Sequence, residues 1–218
     1  MDQKKHLDIG CGNNPRNPFD CDKLFAIDII DSFDADKLKF ANTDHHALLA
    51  EKLILSKPEN FKFFSASVVI EKFPFKDNSF DSISAYDFIE HIPRIHINNN
   101  DDTIFPFINF MDEIYRVLKP GGIFYAITPC YPHQSTFVDP THINFITNET
   151  HTYFCGNKPK ARMYGFIGHF KSIRVQRVFS RIEKRKDNLN KKLKHIFYTL
   201  FTPSKKSHIV WQFKSIKQ

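Results

Sequence analysis

A short apolar segment near the start of the chain runs directly into a turn that holds two glycines. Residues 7–14 read Leu-Asp-Ile-Gly-Cys-Gly-Asn-Asn, and a second apolar segment ends on Asp28, 16 residues after Gly12. Gly10 and Gly12 tolerate positive φ and let a ligand approach the main chain where a Cβ would collide. A carboxylate at the tip of the next strand can accept hydrogen bonds from both ribose hydroxyls. The pattern predicts an α/β sheet that binds a nucleoside-containing cofactor.

The same turn lacks the marks of other nucleotide-binding loops. A nicotinamide or flavin fingerprint has a third glycine three positions after the second, where it opens a phosphate-binding helix. This chain has Pro15 at that position. A P-loop would continue with Gly-Lys and then Ser or Thr, and no such sequence follows. The turn therefore does not predict a pyrophosphate site.

Three further segments follow in order along the chain. Residues 73–86 read Phe-Pro-Phe-Lys-Asp-Asn-Ser-Phe-Asp-Ser-Ile-Ser-Ala-Tyr, and residues 87–92 read Asp-Phe-Ile-Glu-His-Ile. Residues 111–122 read Met-Asp-Glu-Ile-Tyr-Arg-Val-Leu-Lys-Pro-Gly-Gly, an amphipathic helix that proline and glycine stop. With residues 7–14, these segments resemble the motifs of class I S-adenosylmethionine-dependent methyltransferases. The resemblance extends from residue 7 to about residue 129.

Alternating strand and helix patterns predict a mainly parallel, doubly wound sheet. We expect strands near residues 6–9, 25–29, 67–70, 80–86, 122–128, 171–180 and 208–216, and helices near 43–56, 110–118, 147–155 and 187–201. The resemblance implies a Rossmann-like α/β fold with seven strands and an antiparallel last strand, in one domain over residues 1–218. Pro15 and Pro18 leave little room for a full helix between the first two strands.

The resemblance also implies that the cofactor is S-adenosyl-L-methionine. Asp28 is expected to bind its ribose, and further contacts are expected from Gly10, Cys11, Gly12, Asn14 and Ile29. Asp8 is expected near the methionine end of the cofactor, or to hold the turn by hydrogen bonds to its amides. Asp87 and Phe88 are expected near the sulfonium, because a carboxylate or an aromatic face favours a cation. Apolar packing against adenine is expected from Val69 and Ile70.

Methyl transfer from a sulfonium is an in-line displacement, in which the protein mainly aligns the nucleophile with the methyl group. An amine acceptor needs only to be neutral, whereas a hydroxyl benefits from a general base. His91 is the predicted catalytic base, since histidine exchanges protons near neutral pH. A structural role beside Glu90 is the alternative. We expect transfer to an oxygen, and less so to a nitrogen, of a small acceptor such as a sugar or metabolite.

Three inserts extend the predicted framework, at residues 93–109, 129–157 and 180–207. The second is expected to form a substrate lid, in which three polar residues bind the acceptor: His133, Asp139 and His142. The same three residues could instead ligate a divalent metal that orients a diol or catechol, but their spacing matches no metal-ligand pattern. Hydrogen bonding is the favoured interpretation, and no metal site is predicted.

The third insert contains a predicted basic amphipathic helix at residues 187–201, within a stretch rich in Lys and Arg at 158–194. This helix could rest on an anionic membrane that carries a lipid-linked substrate, or pack on the sheet or on a partner subunit. Packing is the favoured interpretation, because most apolar stripes belong to a core. A homodimer is a further candidate, since no helix precedes the first strand to cover the sheet there.

Two other functions stay open at this stage. The basic stretch suits an RNA methyltransferase, but Asp-Phe-Ile-Glu follows strand four where enzymes that methylate base amines have Asn/Asp-Pro-Pro-Tyr/Phe, so nucleic acid is a disfavoured partner. A non-catalytic, cofactor-binding partner subunit is the other. Four cysteines without paired spacing, and no visible signal peptide or membrane span, favour reduced thiols in the cytoplasm.

Overall fold

The computed structural model describes residues 3–34, 44–69, 71–184, 186 and 189–217. Its strands are β1 (Lys5–Ile9), β2 (Lys23–Asp28), β3 (Phe61–Ser65), β4 (Phe80–Tyr86), β5 (His96–Ile97), β6 (Thr103–Ile104), β7 (Leu118–Pro129), β8 (Phe170–Val178) and β9 (His208–Ser215). Its helices are α1 (His45–Ser56), α2 (Pro106–Val117), α3 (Ser135–Val138), α4 (Ser180–Glu183) and α5 (Leu189–Phe201). None of the helices in these ranges is both long and apolar enough to cross a lipid bilayer.

Seven strands form one sheet in the order β3-β2-β1-β4-β7-β9-β8, while β5 and β6 pair separately. Within this sheet β9 alone runs opposite to the other six strands. The predicted doubly wound, mostly parallel sheet with an antiparallel last strand is confirmed. The strand order reverses between β1 and β4, which pair directly. Their carboxyl ends therefore border a crevice of the kind in which open α/β sheets bind ligands.

The apolar runs of the sequence account for the buried core. Helix α2 buries four apolar residues that lie on one of its faces: Phe110, Met111, Ile114 and Val117. They pack in one continuous cluster with strand residues that include Phe80, Phe124 and Trp211. This packing fixes β4 and β7, whose carboxyl ends carry most of the polar residues described below.

One predicted strand and one predicted helix are wrong. The third strand is β3 at residues 61–65 and not a segment at 67–70. β3 is a half-buried edge strand with a weak pattern, whereas the more apolar residues that follow it place Val68 in the core without forming a strand. Ile70 lies outside the described residues. The helix expected near 147–155 is a single 3₁₀ segment at Thr150–Tyr153.

The predictions for the connecting segments had mixed outcomes. Residues 10–22, all of them described, contain no helix, as the two prolines predict. α2 begins at Pro106, because proline suits the first turn of a helix, and so includes the end of the 93–109 insert. α5 forms, but its apolar stripe does not pack on the sheet, and packing on a partner subunit, the other half of that expectation, stays a prediction. Its apolar residues are 54–71% exposed: Leu189, Leu193, Ile196, Phe197, Leu200 and Phe201.

Candidate functional site

The turn after β1 adopts the left-handed conformation at both of its glycines. Gly10 has a φ of +66° and Gly12 a φ of +51°, and this conformation costs a residue with a Cβ roughly 1–2 kcal/mol. A Cβ on Gly10 would lie 2.2 Å from Cδ2 of Phe88, whereas a Cβ on Gly12 would meet no atom of the described residues within 4 Å. Gly10 is therefore packed against Phe88, and Gly12 borders open space.

Asp28 lies at the end of β2, beside this open space. Its Oδ2 accepts a hydrogen bond from the Gly12 N–H at 2.7 Å, and its Oδ1 accepts one from the Ile30 N–H at 3.3 Å. Each carboxylate oxygen retains a lone pair that can accept a further hydrogen bond from a ribose diol. The next residue, Ile29, is 73% exposed and offers an apolar surface to a nucleobase. The turn and both residues thus fit an adenosyl group.

Asp8, expected either near the methionine end or as a support for the turn, is buried. One of its oxygens accepts a hydrogen bond from the Ser84 hydroxyl and the other from the main-chain N–H of Arg16, at 2.8 Å. Burial raises the pKa of Asp8 to about 7, although the charge of Arg16 and both hydrogen bonds act to lower it. These contacts support the turn-holding alternative, and direct contact with a cofactor stays a prediction.

Arg16 was not identified by the sequence motifs, although it lies in the same turn. Its guanidinium carbon lies 4.5 Å from the centre of the Tyr86 ring, and its Nε donates a hydrogen bond to Asp44 at 3.0 Å. The Arg16 side chain is largely buried. The cation–π contact and the ion pair tie the turn to the end of β4 and to the start of α1.

The remaining predicted cofactor residues of the turn, Cys11 and Asn14, contact each other through the main chain. Cys11 is buried, and this burial raises the pKa of its thiol. Asn14 donates its main-chain N–H to the Cys11 carbonyl at 3.0 Å and so closes the turn. All four cysteines of the chain are free and buried. Val69 packs against the core, so its contact with adenine stays a prediction.

Asp87 follows β4 with a φ of +49°, a strained value for a residue other than glycine. Its Oδ1 lies 3.0 Å from Nε2 of His208, and its Oδ2 lies 3.5 Å from Nζ of Lys184. Burial acts to raise the pKa of Asp87, but the hydrogen bond with His208 and the charge of Lys184 outweigh it and lower the pKa below its ordinary value. Asp87 is therefore an ionised carboxylate beside the crevice.

Glu90 fastens the predicted lid to the end of β4. Its main-chain carbonyl accepts hydrogen bonds from the amides of Ile143 and Asn144, at 2.8 and 2.9 Å. Its side chain is 1% exposed, and Oε2 accepts a hydrogen bond from the Thr128 hydroxyl at 2.7 Å. Burial raises the pKa of Glu90 to about 7 against the effect of its hydrogen bonds. Sequence reasoning assigned Glu90 no role beyond its place next to His91, because the burial of Glu90 depends on how the lid folds over it.

His91 and two predicted lid residues come together beside Glu90. The rings of His91 and His142 meet edge to face, with centroids 4.7 Å apart. Nε2 of His142 lies 4.0 Å from Oε1 of Glu90 and 3.9 Å from Oδ2 of Asp139. The Thr141 hydroxyl lies 2.9 Å from Nδ1 of His91 and donates a hydrogen bond to Asp139 at 2.6 Å.

Glu90, Asp139 and His142 line a pocket of about 350 Å³ at the carboxyl ends of β4 and β7, and His91 lies beside it, against His142, without lining it. Its titratable lining residues are Asp87, Glu90, His133, Asp139, His142 and His208. The three predicted lid residues thus share one pocket, and their contact with a substrate stays a prediction. His133 sits apart from the His91 cluster, with its Nδ1 2.8 Å from the Ser135 hydroxyl. A second pocket, of about 730 Å³, also includes Asp87 and His208 and extends to α5.

Comparison with known proteins adds a family match over more than half of the chain. Residues 7–126 match the family described as a methyltransferase domain. No curated protein matches the sequence. The matched range contains the glycine turn, Asp28 and the segment from Asp87 to His91.

Solved structures with similar folds cover the whole chain. A chain from the complex of the Haloferax volcanii Trm112 methyltransferase activator with a methyltransferase gives a TM-score of 0.54 at 11% identity, over 100% of this chain and 84% of that one. A Galdieria sulphuraria protein described as a sarcosine dimethylglycine methyltransferase gives a TM-score of 0.54 at 14% identity, over 100% of this chain and 79% of that one. The [4+2]-cyclase SpnF gives a TM-score of 0.53 at 16% identity, over 100% of this chain and 77% of that one. At these identities the likeness shows the fold alone.

Proposed function

The chain belongs to the methyltransferase domain family and is an S-adenosylmethionine-dependent methyltransferase, and on that premise we propose that it methylates an oxygen of a small acceptor such as a sugar or metabolite. The bound cofactor supplies an electrophilic methyl group on a sulfonium. The residues of this chain bind and orient the two reactants and receive the proton that the acceptor loses.

The observation that supports the cofactor-binding part of the proposal is the pairing of Asp28 with the Gly12 amide at 2.7 Å, beside open space. The amide orients the carboxylate without using all of its lone pairs. Hydrogen bonds from neutral hydroxyls to a carboxylate contribute about 1.5–3 kcal/mol each. In this proposal Asp28 holds the ribose, the turn approaches the adenosyl group through its main chain, and Ile29 packs on the base.

The lining of the pocket beside Asp87 supports an oxygen acceptor. A hydroxyl must lose a proton as the methyl is transferred, and imidazoles and carboxylates line this pocket. Because the Thr141 hydroxyl donates its hydrogen to Asp139, Nδ1 of His91 must carry a proton to bond Thr141. Nε2 of His91 then keeps its lone pair. His91 is the proposed proton acceptor, oriented by Thr141.

Calorimetric titration with S-adenosylhomocysteine tests the cofactor site. We expect Asp28→Ala to weaken binding at least tenfold, corresponding to the loss of one charge-assisted hydrogen bond. Asp31→Ala, at an exposed carboxylate three residues further on, is the matched control and should bind like the wild type. Equal affinity of all three proteins would remove Asp28 from the proposed site.

The acceptor is tested by measuring S-adenosylhomocysteine release with matched pairs of sugars that carry a hydroxyl or an amine at the same carbon. The methyl resonance of the product distinguishes O-methyl from N-methyl. Oxygen transfer predicts turnover with the hydroxyl compound, and His91→Gln should then lower kcat about 10²–10⁴-fold while cofactor affinity is kept. Turnover of the amine compounds alone would contradict the oxygen proposal.

Helix α5 supports a proposed contact with an anionic membrane. Its six exposed apolar residues lie on one face of the helix, and Lys192 and Lys194 flank that face. The helix contains no acidic residue, so its charge complements an anionic lipid surface. Lys194 and Tyr198 also line the larger pocket that reaches Asp87. A membrane-bound α5 would therefore bring that pocket close to a lipid-linked acceptor.

Co-sedimentation with vesicles tests this contact. We expect binding to vesicles that contain phosphatidylserine, weaker binding to pure phosphatidylcholine, and loss of binding when Ile196 and Phe197 are both replaced by Ser. Leu48→Ser, at an exposed apolar residue of α1, is the matched control. Absence of vesicle binding, or salt-sensitive binding to RNA in its place, would contradict the membrane proposal and favour a nucleic-acid acceptor.

A further inference from the structure

Glu90, His91 and His142 form a cluster of metal-ligating side chains, of which the proposed methyl transfer uses His91 alone, as the proton acceptor. One ligand atom from each of the three lies within 4.8 Å of those of the other two. Ligands of a tetrahedral ion with bonds of about 2.0–2.2 Å lie roughly 3.3–3.6 Å apart, so the three side chains must rotate to bring these atoms closer when an ion binds. Asp139, with Oδ2 3.9 Å from Nε2 of His142, lies at the edge of the cluster.

The hydrogen bonds of the two imidazoles fix which nitrogens are free to bind an ion. Nδ1 of His142 lies 3.2 Å from the Thr136 carbonyl, which can only accept, so this nitrogen carries the proton. Nδ1 of His91 also carries a proton, because the Thr141 hydroxyl that it contacts already donates its hydrogen to Asp139. Both rings therefore present an Nε2 lone pair, and each has an outer hydrogen-bond partner of the kind that orients metal-bound histidines.

Glu90 supplies a second, independent observation. Its Oε1 is buried and has no hydrogen-bond partner among the described residues, although Nε2 of His142 lies 4.0 Å away. When Glu90 is ionised, its Oε1 and the Nε2 lone pair of His142 face each other with no proton between them. Leaving a buried polar atom without a partner destabilises a fold. A cation between the three groups would satisfy all of these lone pairs together.

We infer that Glu90, His91 and His142 bind one divalent transition-metal ion at the base of the lid, with Asp139 available as a further ligand. Two imidazoles and a carboxylate suit zinc and related ions, and they leave coordination positions open toward the pocket. The site joins the end of β4 to the lid. Zinc binding would therefore also fasten residues 139–144 to Glu90.

The site stands independently of the acceptor, but its consequence for catalysis rests on the proposed function. A bound ion would occupy the Nε2 lone pair assigned above to the proton acceptor. An acceptor hydroxyl that coordinates the ion would lose its proton more readily, because a divalent cation lowers the pKa of an oxygen ligand, and His133, which lines the same pocket and is not a ligand of the ion, would receive that proton. In that state the ion replaces His91 as the group that activates the acceptor.

Zinc titration of the chelator-treated protein, without any cofactor, tests the site. We expect one zinc ion per chain, at least tenfold weaker binding by Glu90→Gln and by His142→Ala, and unchanged binding by His151→Ala, a histidine of the same insert outside the cluster. Affinity for S-adenosylhomocysteine, measured on the same variants, should be unchanged. Failure of the methyl-transfer proposal would alter neither zinc result.

X-ray absorption at the zinc edge of the loaded wild-type protein gives a readout that does not depend on how the variants fold. Two imidazole ligands with oxygen ligands are expected. No stoichiometric zinc binding, a spectrum with fewer than two imidazoles, or binding that Glu90→Gln and His142→Ala leave unchanged would overturn the inference.

Discussion

Gly10 and Gly12 differ in what a side chain would meet, and this difference predicts a graded effect of replacing each with alanine. Both have positive φ, so alanine at either position costs roughly 1–2 kcal/mol of backbone strain. At Gly12 no described atom lies within 4 Å of the new Cβ, and strain is the whole cost to the free energy of unfolding. We expect Gly12→Ala to fold and to lose cofactor affinity, because its Cβ enters the space beside Asp28.

Alanine at Gly10 adds a collision to the same strain. Its Cβ would lie 2.2 Å from Cδ2 and 2.9 Å from Cγ of Phe88, so the ring must move. Phe88 packs against the core and against Phe110, with ring centroids 5.8 Å apart. Overpacking of this kind typically costs about 1–3 kcal/mol. Gly10→Ala should therefore lower the free energy of unfolding by about 2–5 kcal/mol in total.

Urea unfolding, followed by the fluorescence of the single and fully buried Trp211, measures both effects. Combining Gly10→Ala with Phe88→Ala removes the collision, so the double variant should be about 1–3 kcal/mol more stable than additivity predicts. Two results would refute the reasoning: equal destabilisation by Gly10→Ala and Gly12→Ala, or strict additivity of the Gly10 and Phe88 substitutions.

Two further predictions concern the stability of the fold. Burial lowers the pKa of His6 to about 3, so between pH 6.5 and 3 the unfolded chain binds a proton that the native state does not. The free energy of unfolding should therefore decrease as the pH is lowered, by about 2 kcal/mol between pH 7 and 5 from this group. Urea titrations of His6→Gln should show a smaller decrease over the same pH range. An unchanged decrease would contradict the assignment. Arg116 donates to the carbonyls of residues 73 and 75 and to the Glu113 carboxylate. Arg116→Ala should cost about 2–4 kcal/mol in urea unfolding, with Arg116→Lys intermediate, and a loss below 1 kcal/mol would show that these bonds are not stabilising.

The parts of the fold that the sequence predicted well are those whose signal is local. β4 was placed at its observed residues because its apolar positions follow a loop with a strong turn signal. β3 was misplaced because an edge strand buries little, and its pattern is weaker than that of the apolar residues after it. The exposure of α5 was missed because an apolar stripe does not reveal what covers it.

The residues of the candidate site also fall into those with a local sequence signal and those without one. Asp28 and Gly12 were assigned to one site, and they lie in contact in the structure, because a turn and the next strand of a parallel sheet meet by topology alone. Arg16, Glu90 and Lys184 were not recognised because their roles arise from contacts between segments distant in sequence. His208 was predictable in principle, since β9 is antiparallel and its first residue must lie at the edge where the parallel strands end.

That antiparallel strand also brings two of the inserts to the same edge of the sheet. The insert after β7 and the insert before β9 both join the sheet at this edge, where Pro129 pairs with His208. Asp87 and His208 line both pockets, one walled by the 129–157 insert and the other by α5. Under the proposed function, the sheet would supply the cofactor turn and the ionised Asp87, and the two inserts would shape the acceptor cavity. Exchanging either insert should therefore change acceptor choice and leave cofactor affinity intact.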